Sequence, residues 1–113
     1  MARSREALGA GPDCCPSGLR TPIDRTTAEE LARLLKAVAD PARLQILSHL
    51  RAQPDCQACV CDLTDELALS QATVSHHLRV LVDAGILARE RRGTWAWYSI
   101  IPSRLTELAS VLT

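Results

Sequence analysis

The sequence predicts a mainly α fold, a winged helix-turn-helix with five helices and a two-stranded β-hairpin as its wing, assembled as a dimer. Three observations carry this. Two short amphipathic helices flank a tight turn ending at Ser70. Two short runs, the second rich in aromatic and β-branched residues, follow directly and are separated by Arg92-Gly93. The apolar stripes of the first and last helices have no obvious partner within the wing, and a twofold mate would cover them.

Composition narrows the class further. The chain has 113 residues, 47% apolar and 23% charged, as in ordinary globular domains. Thirteen basic side chains balance thirteen acidic ones, so net charge identifies no partner. No uninterrupted apolar stretch approaches the roughly 20 residues of a membrane span, so no membrane partner is expected. No apolar run follows the early arginines, so no secretory signal is expected either. The five cysteines are an odd number and too few for a disulfide scaffold. A reducing, cytoplasmic setting follows, with the thiols read as metal ligands or redox centres rather than staples. With two Trp, one Tyr and no Phe, the core must be built from Leu, Val, Ile and Ala.

The elements follow in order. Residues 1–25 are punctuated by Gly and Pro, lack an apolar period, and read as a flexible N-terminal arm carrying Cys14-Cys15. Residues 26–113 form the winged-helix domain for DNA binding and dimerisation. Thr26 and Glu29 fit a capping box for a first helix whose stripe is Leu31, Leu34, Leu35 and Val38. Asp40-Pro41 stops it and starts a second, with Asp40 as N-cap and Pro41 at the first helical position. This helix carries Leu44, Ile46, Leu47 and Leu50. A short third helix covers Asp62 to Leu67. Ser70 caps a fourth, from Gln71 to Ala84, with Val74, Leu78, Leu81 and Val82 inward and Gly85 at its C′ position. Leu87 to Arg91 and Trp95 to Ile100 form the hairpin. Pro102 closes it, and Leu105, Leu108, Ala109 and Leu112 mark the fifth helix.

The fourth helix offers polar groups suited to base edges. Ser70 and Gln71 stand at its N-terminal end, and Thr73, His76 and Arg79 lie away from the apolar stripe. Gln pairs with adenine, Ser and Thr bond either kind of base, and Arg takes guanine or phosphate. A modestly polar solvated face would have the same composition. His76 and His77 are adjacent and about 100° apart on a helix, so they do not chelate one ion together. Arg91 and Arg92 at the hairpin turn, near Arg89, suit phosphate contact. The cysteines form two groups, Cys14-Cys15 and Cys56-x-x-Cys59-x-Cys61. Soft thiolates select thiophilic ions over magnesium or calcium. Trivalent arsenic, As(III), and antimony, Sb(III), favour three sulfurs, whereas Cd(II) and Pb(II) accept three or four.

LLKAVADPARLQILSHL, CVCDL and LSQATVSHHLRVLVDAGIL, followed by an Arg-rich hairpin, resemble the ArsR/SmtB family of metal-responsive winged-helix repressors, arsenic-sensor type, over about residues 28–112. The resemblance implies a cytoplasmic homodimer, no catalysis, and double-stranded operator DNA released when a toxic metal or metalloid binds. It implies DNA contacts from Ser70, Gln71, Thr73, Ser75, His76 and Arg79. Cys59-Val60-Cys61-Asp62-Leu63 is similar to the thiolate motif of arsenic and of cadmium/lead sensors. Cys14-Cys15 with Cys56 is similar to a second arsenic-sensor arrangement, in which the arm of one subunit meets the third-helix region of the other. The zinc ligands that some members carry on the last helix are missing, since Ser103 to Leu112 holds Glu107 and no His. Three readings stand open: an As(III)- or Sb(III)-responsive repressor, the same repressor switched by Cd(II) or Pb(II), and a thiol-redox sensor using the C-x-x-C pair.

Overall fold

Asp24, rather than Thr26, opens the first helix. The structure is a computed structural model describing residues 22–111, so Cys14, Cys15 and Leu112 lie outside the described residues. Helix α1 spans Arg25–Val38, starting inside the expected arm, and the Asp24 carboxylate accepts the Thr27 N–H at 2.8 Å. That hydrogen bond holds the Asp24 carboxyl below the usual carboxylate range. Glu29 pairs instead with Arg25 one turn back, at 3.0 Å, so no capping box forms. Leu34, Ala37 and Val38 are buried, while Leu35 is exposed. The inward stripe thus leans toward Ala37, and Leu35 is left for another surface.

Helix α2 (Pro41–Arg51) begins as the sequence predicts. Asp40 accepts the N–H groups of Ala42 and Arg43 at 2.9 and 3.2 Å, and Pro41 occupies the first turn. Ile46, Leu47 and Leu50 are buried, whereas Leu44 points outward at 54% exposure.

A strand the sequence did not announce comes next. Strand β1 (Gln57–Cys59) is three residues long, too short to display alternation. Helix α3 (Val60–Leu67) follows without a break and starts two residues before Asp62, because Val60 as well as Leu63 turns into the core. Helix α4 (Gln71–Asp83) is capped by Ser70. It ends as expected in a glycine motif: the Ile86 N–H reaches the Leu81 carbonyl at 3.0 Å and the Gly85 N–H reaches Val82 at 2.9 Å. Gly85 has φ +83°, which only glycine adopts freely.

Strands β2 (Leu87–Arg92) and β3 (Trp95–Ile100) form the wing. Arg92 faces Trp95, so the turn is Gly93-Thr94, one residue later than the sequence predicts. Strand β1 pairs antiparallel with β3, making the sheet three-stranded in the order β1-β3-β2. Helix α5 (Pro102–Ser110) closes the chain with no fully buried residue, its Leu105 and Leu108 half-buried against the core. Among the described residues no helix is long and apolar enough to cross a membrane.

The α3–α4 turn contains a strained position. Ala68, the C-cap of α3, has φ 55° and ψ 39°, the left-handed conformation. A Cβ there costs roughly 1–2 kcal/mol relative to glycine. Ala68→Gly is expected to stabilise the domain by about 0.5–1 kcal/mol after glycine's added unfolded-state freedom is deducted, read as a higher urea midpoint.

Candidate nucleic-acid interface and thiol site

Helix α4 turns Val74, Leu78 and Leu81 fully inward, and the opposite face follows from that. Gln71, Thr73, Ser75, His76 and Arg79 are all exposed, as is Ser70 at the cap. Val80 is half-buried. The Ser70 hydroxyl oxygen accepts the Thr73 N–H at 3.2 Å and donates to Thr73 Oγ1 at 2.9 Å. Ser70 is therefore engaged in capping, while Thr73 keeps its own O–H free to donate outward. No acidic side chain occupies the first turn of α4, so its partial positive charge remains available to an anion.

The wing arginines differ in their surroundings. Arg91 is exposed. Arg89 Nε donates to the Tyr98 hydroxyl at 3.3 Å. Arg92 Nη2 donates to Gln57 Oε1 at 2.7 Å and to Glu90 Oε1 at 2.8 Å, and its guanidinium lies 4.8 Å from the Trp97 ring centre. Arg92 thus ties the wing to β1, a role that spacing alone did not reveal. Gln57 has no signal of its own in the sequence, since its place beside the wing depends on the β1–β3 pairing.

The described cysteines separate into two places. Cys59 is buried in β1, opposite Trp97, and Cys61 sits half-buried in the first turn of α3. Expected as free thiolates, the two are joined as a disulfide across one intervening residue. A ring this short constrains little of the unfolded chain, so the bond is not a staple across the fold. Asp62 completes a cluster with them, the three potential ligand atoms lying within 4.8 Å of one another. Two sulfurs and one carboxylate fit a thiophilic divalent ion once the disulfide is reduced; a trigonal As(III) site needs a further sulfur.

Cys56 stands apart and is free. It precedes β1 with φ 54°, and its carbonyl accepts the Ile100 N–H at 3.1 Å. Its half-buried thiol borders a cleft of about 280 Å³ lined by Ile100, Pro102, Leu105 and Arg51. The structure therefore brings Cys59 and Cys61 together and places Cys56 beside α5.

Residues 40–89, from the α2 cap into the first wing strand, match the sequence profile of the arsR family of bacterial regulatory proteins. The arsenical resistance operon repressor of Bacillus subtilis is 36% identical over 94 residues, covering 78% of this chain and 85% of that protein. The chain belongs to the arsR family. Members of this family are winged-helix DNA-binding transcriptional repressors that respond to metals or metalloids, and they are not enzymes. Two solved structures agree with the assignment. The antimony-specific transcriptional repressor AntR superposes with a TM-score of 0.68 at 32% identity, covering 80% of each chain. The homodimeric winged helix-turn-helix domain of a possible ArsR-family regulator from Mycobacterium bovis gives 0.65 at 29% identity, covering 80% of this chain and 84% of that one. Within this arsR-family frame α3 and α4 are the helix-turn-helix pair and β2–β3 the wing.

Proposed function

We propose that this arsR-family chain is a cytoplasmic homodimeric repressor that holds double-stranded operator DNA and releases it when As(III) or Sb(III) is bound by cysteine thiolates. The observation that carries this reading is the placement of three soft ligands. Cys56, Cys59 and Cys61 occupy the segment that runs through β1 into α3, the first helix of the helix-turn-helix. An ion held there acts on the element that aims α4. Relatives named for arsenical resistance and for antimony add support.

The preferred ligand set is Cys14, Cys15 and Cys56, the first two contributed by the other subunit. Cys56 suits it as the free thiol beside α5, and three sulfurs satisfy the pyramidal ion. Cys59 with Cys61 is the rival set. Gln71, Thr73, Ser75, His76 and Arg79 read the DNA with Ser70 at the cap, and Arg91 and Arg92 belong to the wing contact. Two such helices on a dimer stand about 34–36 Å apart, one turn of the duplex. Ion and DNA favour different dimer arrangements, so each weakens the other by the same factor, typically about 5–150-fold.

The test is release of promoter DNA by arsenite from the reduced parent and from the five single Cys→Ser variants. All five are expected to bind DNA, and those lacking a true ligand to stay bound when arsenite is added. Parent-like release from every single variant and from the 14/15 and 59/61 double variants would overturn the thiol-sensor reading. One observation favours a second inducer class: the Asp62 carboxylate beside Cys59 and Cys61 is a ligand that Cd(II) or Pb(II) accepts. Release by those ions but not by arsenite would select it. The thiol-redox alternative, expected on the C-x-x-C pair Cys56 and Cys59, would have to use Cys59 and Cys61 instead, since those two are joined and Cys56 is free; release by oxidant alone would select it.

A further inference from the structure

We infer that Arg43, with Asp40 and His77, forms a polar clamp that sets the orientation of α4, making His77 a positioning residue for operator recognition rather than a DNA contact. The inference rests on the reading of α4 as the DNA-reading helix and adds three residues to it.

The apolar face of α4 does not by itself define its rotation closely. Val74, Leu78 and Leu81 are held by packing, which is non-directional, and a small roll of the helix would swing Gln71, His76 and Arg79 together. A directional bond on the flank of the helix removes that freedom. His77 lies on the flank, about 100° from both exposed His76 and buried Leu78, and its side chain is only 14% exposed.

Arg43 is the hub. Its Nη1 donates to His77 Nδ1 at 3.1 Å, and its Nε donates to the Ala37 carbonyl in the last turn of α1. A guanidinium carries no acceptor, so His77 Nδ1 is the accepting atom of this pair. Asp40 completes the set. Its carboxylate caps α2 through the N–H groups of Ala42 and Arg43, and its Oδ2 lies 3.9 Å from His77 Nδ1. The Arg43 backbone N–H, and after it the charge of the Arg43 guanidinium, hold that carboxyl below the usual range. One side chain thereby joins the end of α1, the start of α2 and the middle of α4. The planar fork of Arg43 addresses two acceptors at once, a geometry that lysine does not reproduce.

The experiment compares four variants of the full chain with the parent: His77→Leu, His77→Asn, Arg43→Lys, and Arg43→Lys with His77→Leu. Each is titrated with the operator duplex, mapped by footprinting upstream of its own gene, and with a random duplex at the same salt. His77→Leu and Arg43→Lys are each expected to lose about tenfold or more in operator affinity, the scale of one charge-assisted hydrogen bond, while random-duplex affinity stays within about twofold. His77→Asn presents Oδ1 where the imidazole had Nδ1 and is expected to remain within about threefold of the parent. The double variant is expected to be no worse than the weaker single one. Parent-like operator binding by His77→Leu overturns the clamp, as does a His77→Asn loss equal to that of His77→Leu, or losses that multiply in the double variant. If His77→Leu does not fold, as seen by circular dichroism, Arg43→Lys against His77→Asn decides: loss in the first with retention in the second supports the clamp, and any other pairing overturns it. A parent that fails to distinguish the two duplexes overturns the DNA-reading assignment of α4 itself and the clamp with it.

Discussion

Replacing Leu105 and Leu108 together by Glu is expected to yield monomers and to lower operator affinity by about 10²–10⁴-fold, the range by which joining two binding modules exceeds one alone. Both leucines are only half-buried within one copy, on a helix with no fully buried residue. Exposed Leu35 on α1 shows the same incomplete burial. A homodimeric interface built from α1 and α5 would cover these faces, whereas two carboxylates there would be desolvated without partners. Sedimentation reads the oligomeric state, and an operator titration reads the affinity. A variant that remains dimeric overturns this interface. Both leucines also touch the core, so a melting curve accompanies the measurement and separates loss of the dimer from loss of the fold.

Leu78→Ala is expected to destabilise the domain by about 2–5 kcal/mol, measured as a fall in the urea midpoint at unchanged slope. Leu78 is fully buried at the centre of α4, packed in one cluster with Leu81, Leu63 and Ile46. Alanine is the better helix former, so any loss reports the cavity and not the helix. Against a total stability of about 5–15 kcal/mol, a change of this size removes a large share of the folding margin. A cost below about 1 kcal/mol would mean that α4 is not seated as described.

Much of the fold was legible because its signals are local. Asp40-Pro41 caps α2, Ser70 caps α4 and Gly85 ends it, each through groups only a few residues apart. The errors also have local causes. Asp24 displaced Thr26 because either side chain can reach an orphan amide, and the sequence does not say which is used. Leu35 and Leu44 stand in the same apolar stripes as buried Leu34 and Leu47 yet are exposed, because a helical stripe drawn on one chain cannot tell a core from an outer surface. Strand β1 escaped notice because three residues carry no period, and its partner β3 is about forty residues away.

For the candidate site the division is sharper. Residue types alone identified the exposed face of α4 and the soft thiols, since helical periodicity and ligand chemistry are properties of the chain itself. Only the tertiary structure decided that Cys59 and Cys61 stand together while Cys56 faces α5. It alone tied Arg92 to Gln57 and Trp97, and it alone brought Arg43 to His77 across a separation of 34 residues. The physical reason is common to all three. Periodicity and capping act within a few residues along the chain, whereas a ligand set or a polar clamp depends on distances that exist only after distant segments have packed.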